Sequence, residues 1–303
     1  MNDVAPITID GADVNRAMQS VGVLAVVSIS KWSARRVDKE VTEEVRVQKQ
    51  AKGKAGSYNK NLLSGIEGPL LKVCAAFDAV RAFHYSRTLP WVDDPLARRD
   101  EGPRLLTHVL FNEYMTGIAQ LKAAALAALD EFVLAYPAVV TTAIANLNGM
   151  GRIEDYPPVD EIRSRFRLFI DFNPIPERTG FVGLPPIAFK ILGEDLEKKQ
   201  QRQRDDALKA MWKVAGKRLS DFIERLSKED AQPRESTVDG IREMIHLLQG
   251  WNIDGNTEVD EIIADIEQML VGVDGKALRE SKDLLTVTKA AAEGIVGKIE
   301  GWQ

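Results

Sequence analysis

Two hydrophobic periods run along this chain of 303 residues. The shorter is confined to the N-terminal part. Val21 to Trp32 is dense in valine and isoleucine and alternates imperfectly. Branching at Cβ disfavours a helix, so the run predicts a strand buried on both faces. Arg167 to Phe172 has the same texture, with Leu168, Ile170 and Phe172 on one side, and is the expected partner strand. Everywhere else the helical period rules. Val37, Val41 and Val45 recur every four residues and predict a short amphipathic helix to about Gln50, closed by the glycines of K-G-K-A-G-S. Pro69 opens a helix carrying Leu70, Val73, Cys74, Phe77, Val80 and Phe83, ending near Ser86 before a T-L-P-W-V-D-D-P loop. Thr107 is placed to cap the next helix, through Leu110, Tyr114, Ile118 and Leu121 to about Tyr136. Pro137 then opens or kinks a further turn that stops at Gly149 and Gly151.

Beyond Pro186 the pattern is helical throughout. Ile187 to Lys228 is long and charged, with Leu192, Leu196, Leu208, Met211, Trp212, Ala215 and Phe222 as its apolar positions. Ser236 and Asp239 have capping-box spacing before Ile241, Met244, Ile245 and Leu248. Thr257 is placed to cap Val259 to Val271, and Asp274–Gly275 turns into a last helix with Leu278, Leu284, Val287 and Ile295. The expected fold is mostly α with a small β element. An α+β domain spans 1–186, followed by a helical region, 187–303, built as a long helix and a small bundle. The stripe Val259, Ile262, Ile263, Ile266, Met269 and Leu270 is wide enough that part of it is expected to meet a second subunit.

Charge changes this picture at one place. The chain carries a net −5, yet residues 31–60 hold nine basic side chains (Lys31, Arg35, Arg36, Lys39, Arg46, Lys49, Lys52, Lys54, Lys60) against four acidic ones (Asp38, Glu40, Glu43, Glu44). That segment is therefore near +5 and the remainder near −10, a segregation that suggests a directed surface for a polyanion. Lys49, Lys52, Lys54 and Lys60 surround Gly53 and Gly56 beside Tyr58 and Asn59. Flexible cations next to an aromatic ring suit a single strand, with phosphates on the lysines and a base on Tyr58. The plain alternative is a solvated loop. K-W-S-A-R-R adds Lys31, Arg35 and Arg36, with Trp32 either in the core or stacked on a ligand. R-A-F-H-Y-S-R supplies a second candidate group, Arg81, His84, Tyr85 and Arg87.

Catalytic signatures do not appear in the sequence. His84, His108 and His246 have no ligand-type residue at i+4, so no metal site is expected. Neither a phosphate-binding loop of the G-x-x-x-x-G-K-[ST] type nor G-x-G-x-x-G is present, and no cofactor is expected. The lone Cys74 fits a reducing compartment and a buried apolar role. Met1 to Asn15 lacks the basic and apolar regions of a signal peptide, and no apolar run approaches the ~18 residues of a membrane span. The expected location is the cytoplasm.

K-W-S-A-R-R with Lys39, Y-N-K at Tyr58–Lys60, H-Y-S-R-T-L-P-W at His84–Trp91, Tyr136–Pro137, and D-Y-P followed by F-N-P-I-P together resemble a family of bacteriophage and mobile-element proteins with no established activity. The resemblance covers about residues 20–190. Its setting implies phage DNA metabolism or assembly in a bacterial host, near a ring-forming ATPase of the cobaltochelatase-like kind. The function expected is thus non-catalytic: a self-assembling protein that binds nucleic acid, preferring single-stranded DNA. The alternative is a structural or adaptor protein that oligomerises on an ATPase or a phage assembly.

Overall fold

A computed structural model describes residues 21–53, 56–91, 102–177, 183, 185–228, 231–253 and 255–302. The chain is mostly helical with a small antiparallel sheet, and it divides into two compact units interleaved in sequence. The first holds the described residues of Met1–Val26, Arg87–Tyr114 and Asp171–Gln303; the second holds Val27–Ser86 and Met115–Ile170. The expected boundary at 186 falls inside the first unit. Its long helix packs on a strand at Leu89–Pro90 as well as on the C-terminal helices.

The sheet has the order β4-β5-β1-β6, from β1 (Gly22–Ser30), β4 (Leu89–Pro90), β5 (Arg104–Thr107) and β6 (Arg167–Asn173). β1 runs antiparallel to β5, with Gly22 opposite Thr107 and Ala25 opposite Arg104. β1 has β6 as its other neighbour, as expected from their shared texture. Burial on both faces holds only for the first half of β1; Ser28 and Ser30 are exposed. β5 was hidden in the sequence because four residues, R-L-L-T, carry no period of their own. Thr107 ends that strand rather than capping a helix, and its buried Oγ1 lacks a hydrogen-bond partner among the described residues.

The second unit also holds a two-stranded ribbon, β2 (Arg35–Asp38) against β3 (Tyr58–Asn61), joined through helix α1 (Lys39–Gln48). α1 is capped by Asp38, whose carboxylate accepts from the Val41 N–H at 3.1 Å, and it buries none of its residues. Helix α2 (Gly68–Arg87) buries the predicted Leu70, Val73, Phe77 and Val80. Cys74 is only half-buried, and burial pushes its thiol pKa up, so it is not activated as a nucleophile.

Helix α3 runs unbroken from His108 to Leu147 with Pro137 inside it. Thr141 and Thr142 donate to the carbonyls of Pro137 and Ala138, each at 3.0 Å. Within the second unit, Phe132, Tyr136 and Phe166 close an aromatic core with Trp32 and Phe77, with ring centroids 5.6–6.4 Å apart. α3 is the one helix among the described residues long and apolar enough to cross a membrane by length and composition, which the count of uninterrupted apolar residues missed. Its most apolar 18-residue window has a mean hydropathy of 1.6 and is 39% buried within the protein. Its neighbouring charges are partnered: Asp130 by Arg163 and Glu131 by Lys72.

The second unit also holds the one-turn helix α4 (Val159–Ile162). In the first unit, α5 (Pro186–Leu226) packs against α6 (Glu235–Trp251) and α9 (Lys282–Glu300), and α7 (Thr257–Met269) packs on both α6 and α9. The short α8 (Gly275–Glu280) precedes α9, because Ser281 breaks the expected last helix and caps its second part through the Leu284 N–H at 3.1 Å. Two other caps move by one or two residues. α7 is capped by Asn256 instead of Thr257, and α6 starts at Glu235, which leaves Ser236 inside the helix. The α7 stripe is covered from within its own unit: Val259, Ile262 and Ile266 are fully buried, each contributing about 1.5–3 kcal/mol. The cover comes from α6 and α9, and α5 packs on those two helices in turn, burying Ala207, Met211, Trp212, Ala215, Leu219 and Phe222. Self-association therefore finds no support in this stripe.

Candidate nucleic-acid interface

The ribbon β2–β3 decides where the basic segment points. Its register sets Arg36 directly opposite Lys60 and Asp38 opposite Tyr58. Two cations face to face would repel; Asp155 lies between them, with Oδ1 3.3 Å from Arg36 Nε and Oδ2 2.5 Å from Lys60 Nζ. Lys60 is only 4% exposed and is also held by Asp38 at 3.1 Å and by the Met150 carbonyl at 2.9 Å. Burial alone would lower its pKa, but the bonds to Asp155 and Asp38 outweigh it and the net shift is upward. Asp38 is pulled below its usual range by the Val41 N–H first and by Lys60 second. Lys60 is thus a clamp across the ribbon, and the expectation that it tracks a nucleic-acid strand is corrected. A lysine buried to 4% exposure, paired with two carboxylates and bonded to a carbonyl, has little access to a phosphate.

Lys31 is also engaged, with both Asp78 oxygens at 2.7 Å. Lys49 and Lys52 are exposed and make no ion pair among the described residues; Lys54 lies outside those residues. Tyr58 is 45% exposed, and its backbone N–H donates to Thr42 Oγ1 at 2.9 Å. Tyr58 sits at the opposite end of the ribbon from Arg35, about 10 Å along a strand.

The arginines converge elsewhere in the second unit. Arg35, Arg36, Arg165 and Trp32 line one cleft of about 320 Å³, walled by Leu62, Tyr156, Pro157 and Pro158, with Glu154 and Asp155 at its side. The turn into the cleft passes through Ala34, which is buried and held at φ 52°. That left-handed conformation costs an alanine about 1–2 kcal/mol, and strain of this kind gathers where a side chain must be aimed. Leu62 N–H fastens the turn by donating to the Ala34 carbonyl at 2.7 Å. The wall is fixed by two tyrosines: Tyr156 OH donates to the Leu62 carbonyl at 2.6 Å, and Tyr136 OH to the Pro157 carbonyl at 3.0 Å. Trp32 is half-buried, with Tyr136 edge-on at 5.8 Å, so it both joins the core and lines the cleft. Arg36 is steadied by the Glu154 carbonyl at 2.5 Å, and among the described residues Arg165 pairs with Glu161 alone, at 3.6 Å. Arg35 makes no ion pair among the described residues. Three guanidiniums against two carboxylates leave a net positive cleft that can grip an anion bidentately.

Arg165 was missed from the sequence. Its only signal is the alternation of arginines at 163, 165 and 167, which the short-helix reading absorbed. The second candidate group does not form an exposed site. His84 is buried, and Arg81 and Tyr85 are half-buried. Arg87 bridges Glu113 and Glu243, each at 2.7 Å, and His246 joins Glu113 at 2.6 Å. Burial raises the Glu113 pKa, but hydrogen bonds from His246 and Arg87 bring it below its usual range. All four residues of this network lie in the first unit. Among the described residues no group of three or more His, Cys, Asp or Glu is placed to hold a metal ion.

A second cleft, of about 650 Å³, shares Glu154, Tyr156, Pro157 and Pro158 with the first and is apolar, with Pro137, Ile144, Ile153 and Val159 on its walls. Comparison with protein-family models, with curated proteins and with solved structures returned no match for this chain.

Proposed function

We propose that the protein binds single-stranded nucleic acid without catalysis, gripping phosphates in the Arg35–Arg36–Arg165 cleft. One observation carries the reading: three guanidiniums and an indole converge on one positive cleft, one of them with no ion-pair partner among the described residues. Arg35 and Arg165 take the phosphate, and Trp32 offers its edge to sugar or base. A strand leaving the cleft along the ribbon next meets Tyr58, which is exposed, as are Lys49 and Lys52 in the segment that joins the two strands. The likeness of its motifs to phage proteins supports a setting in phage DNA metabolism in a bacterial host.

Fluorescence anisotropy with a labelled oligo-thymidylate tests this. Binding is expected to weaken with salt at a log–log slope of about −0.7 per phosphate contact, hence about −0.7 to −1.4 for Arg35 and Arg165. Arg35→Glu with Arg165→Glu is expected to reduce affinity at least about 100-fold and to flatten the slope. Salt-independent binding, or full affinity in the double variant, would remove the cleft from the account.

The neighbouring apolar cleft favours a second reading, an adaptor that seats a protein partner such as a ring-forming ATPase. An absence of oligonucleotide binding at low salt, together with a partner lost on Ile153→Glu, would select it.

A further inference from the structure

β6 is the outer strand of its sheet, and among the described residues no strand pairs with its free edge. One face of the strand holds Leu168 and Ile170, both half-buried, and Phe172, which is 38% exposed but 6.0 Å from Phe111 and 6.1 Å from Tyr114. Its outward side is unusual for an edge. Arg167, Phe169 and Asp171 alternate there, all exposed, with Phe169 at 58%. Neither Arg167 nor Asp171 makes an ion pair among the described residues. An exposed aromatic edge strand invites pairing with another strand, and the order of these side chains says which one.

We infer that β6 pairs antiparallel with β6 of a second copy of this chain, about a two-fold axis at Phe169. Antiparallel self-pairing centred there sets Phe169 opposite Phe169 and Leu168 opposite Ile170. Arg167 of each copy then lies opposite Asp171 of the other. Directly opposed side chains have Cβ atoms about 4.5–5.5 Å apart, close enough for an aromatic pair flanked by two ion pairs. A register one residue along would oppose Phe169 to Asp171 and leave Arg167 against Asn173, so the sequence favours the first. The contact is isologous and closes as a dimer instead of growing into a fibre. It is independent of the nucleic-acid reading. If both hold, each dimer carries two arginine clefts, and binding to a long strand gains from linkage.

Sedimentation equilibrium on the full chain tests the inference, with circular dichroism as a check on folding. The wild type is expected to be a concentration-dependent dimer. Arg167→Asp alone places two Asp–Asp pairs across the axis, and Asp171→Arg alone places two Arg–Arg pairs. Each single variant is expected to be monomeric at concentrations where the wild type is mostly dimer. Mixing the two variants restores opposite charges at both positions and is expected to give a 1:1 dimer, as is combining both changes in one chain. A wild type that stays monomeric, single variants that still dimerise, or a mixture that does not associate would each overturn the inference.

Discussion

Replacing Lys60 with methionine separates a structural clamp from a ligand contact. The methionine fills the stem but removes the ammonium, so the Met150 carbonyl loses its hydrogen bond at 2.9 Å and two carboxylates lose their counter-charge, Asp155 at 2.5 Å and Asp38 at 3.1 Å. Both carboxylates are 13% exposed and cannot recover their charge by solvation alone. Each keeps one other partner, the Val41 N–H for Asp38 and Arg36 for Asp155. Breaking a buried ion pair costs about 3–5 kcal/mol, and these remaining partners place the loss near ~3 kcal/mol. At roughly 4 °C per kcal/mol for a unit of this size, the midpoint should fall by about 12 °C. Thermal unfolding gives the midpoint, and hydrogen exchange at the β2 and β3 amides reports the loss locally. Adding Asp38→Asn, which removes one uncompensated charge, should recover about 1 kcal/mol. At a temperature where the variant is folded, its affinity for an oligonucleotide should match the wild type. An unchanged midpoint with binding lost would refute the clamp and return Lys60 to the binding surface.

The clamp also sets a pH window. Asp38 titrates below its ordinary 3.8 and Lys60 above its ordinary 10.5. The stability contributed by Asp38 is therefore present above 3.8 and lost as pH falls through its lower folded value. That of Lys60 is present below 10.5 and lost as pH rises through its higher one. The contribution of this pair to the midpoint should be constant between these limits and fall outside them, so the difference in midpoint between wild type and Lys60→Met should shrink at both extremes. Gly117→Ala would put a Cβ 2.3 Å from the Phe83 ring, and Gly250→Ala one 2.6 Å from Leu110. Each should cost about 1–3 kcal/mol by overpacking in urea unfolding, and a neutral result would mean that the neighbouring side chain can turn aside. Ser281→Ala removes the cap of α9 and should cost about 1 kcal/mol; no change would show that water replaces the hydroxyl.

Periodicity carried most of the fold. The valine-rich run and R-L-F-I-D-F became adjacent strands, and the long helices lie where their stripes placed them, except that Pro137 does not end α3 and Ser281 divides the last helix. Elements too short to hold a period stayed hidden. β5 has four residues, and β2 was absorbed into a helical stripe because Val37 sits four residues before Val41. Caps moved by one or two residues, since Ser236 and Thr257 had Arg234 and Asn256 as near neighbours and only local backbone geometry chooses between them. The site was legible as a basic segment but not as a cleft. Charge count along the chain weighs Lys60 and Arg35 equally, whereas burial sends one inward to two aspartates and leaves the other at the surface. Arg165 reaches the same cleft from about 130 residues away in sequence, and no local pattern reports such a meeting.

Photochemical crosslinking tests the central claim most directly. A bromodeoxyuridine-substituted single-stranded oligonucleotide, irradiated in the complex and followed by peptide mapping, reports which aromatic residues touch the strand. The account predicts crosslinks at Trp32 and, further along the ribbon, at Tyr58, both abolished by excess unlabelled strand and absent in the Arg35→Glu, Arg165→Glu variant. Crosslinks confined to Trp212, Trp302 or other residues of the C-terminal helices, or undiminished in that variant, would contradict it.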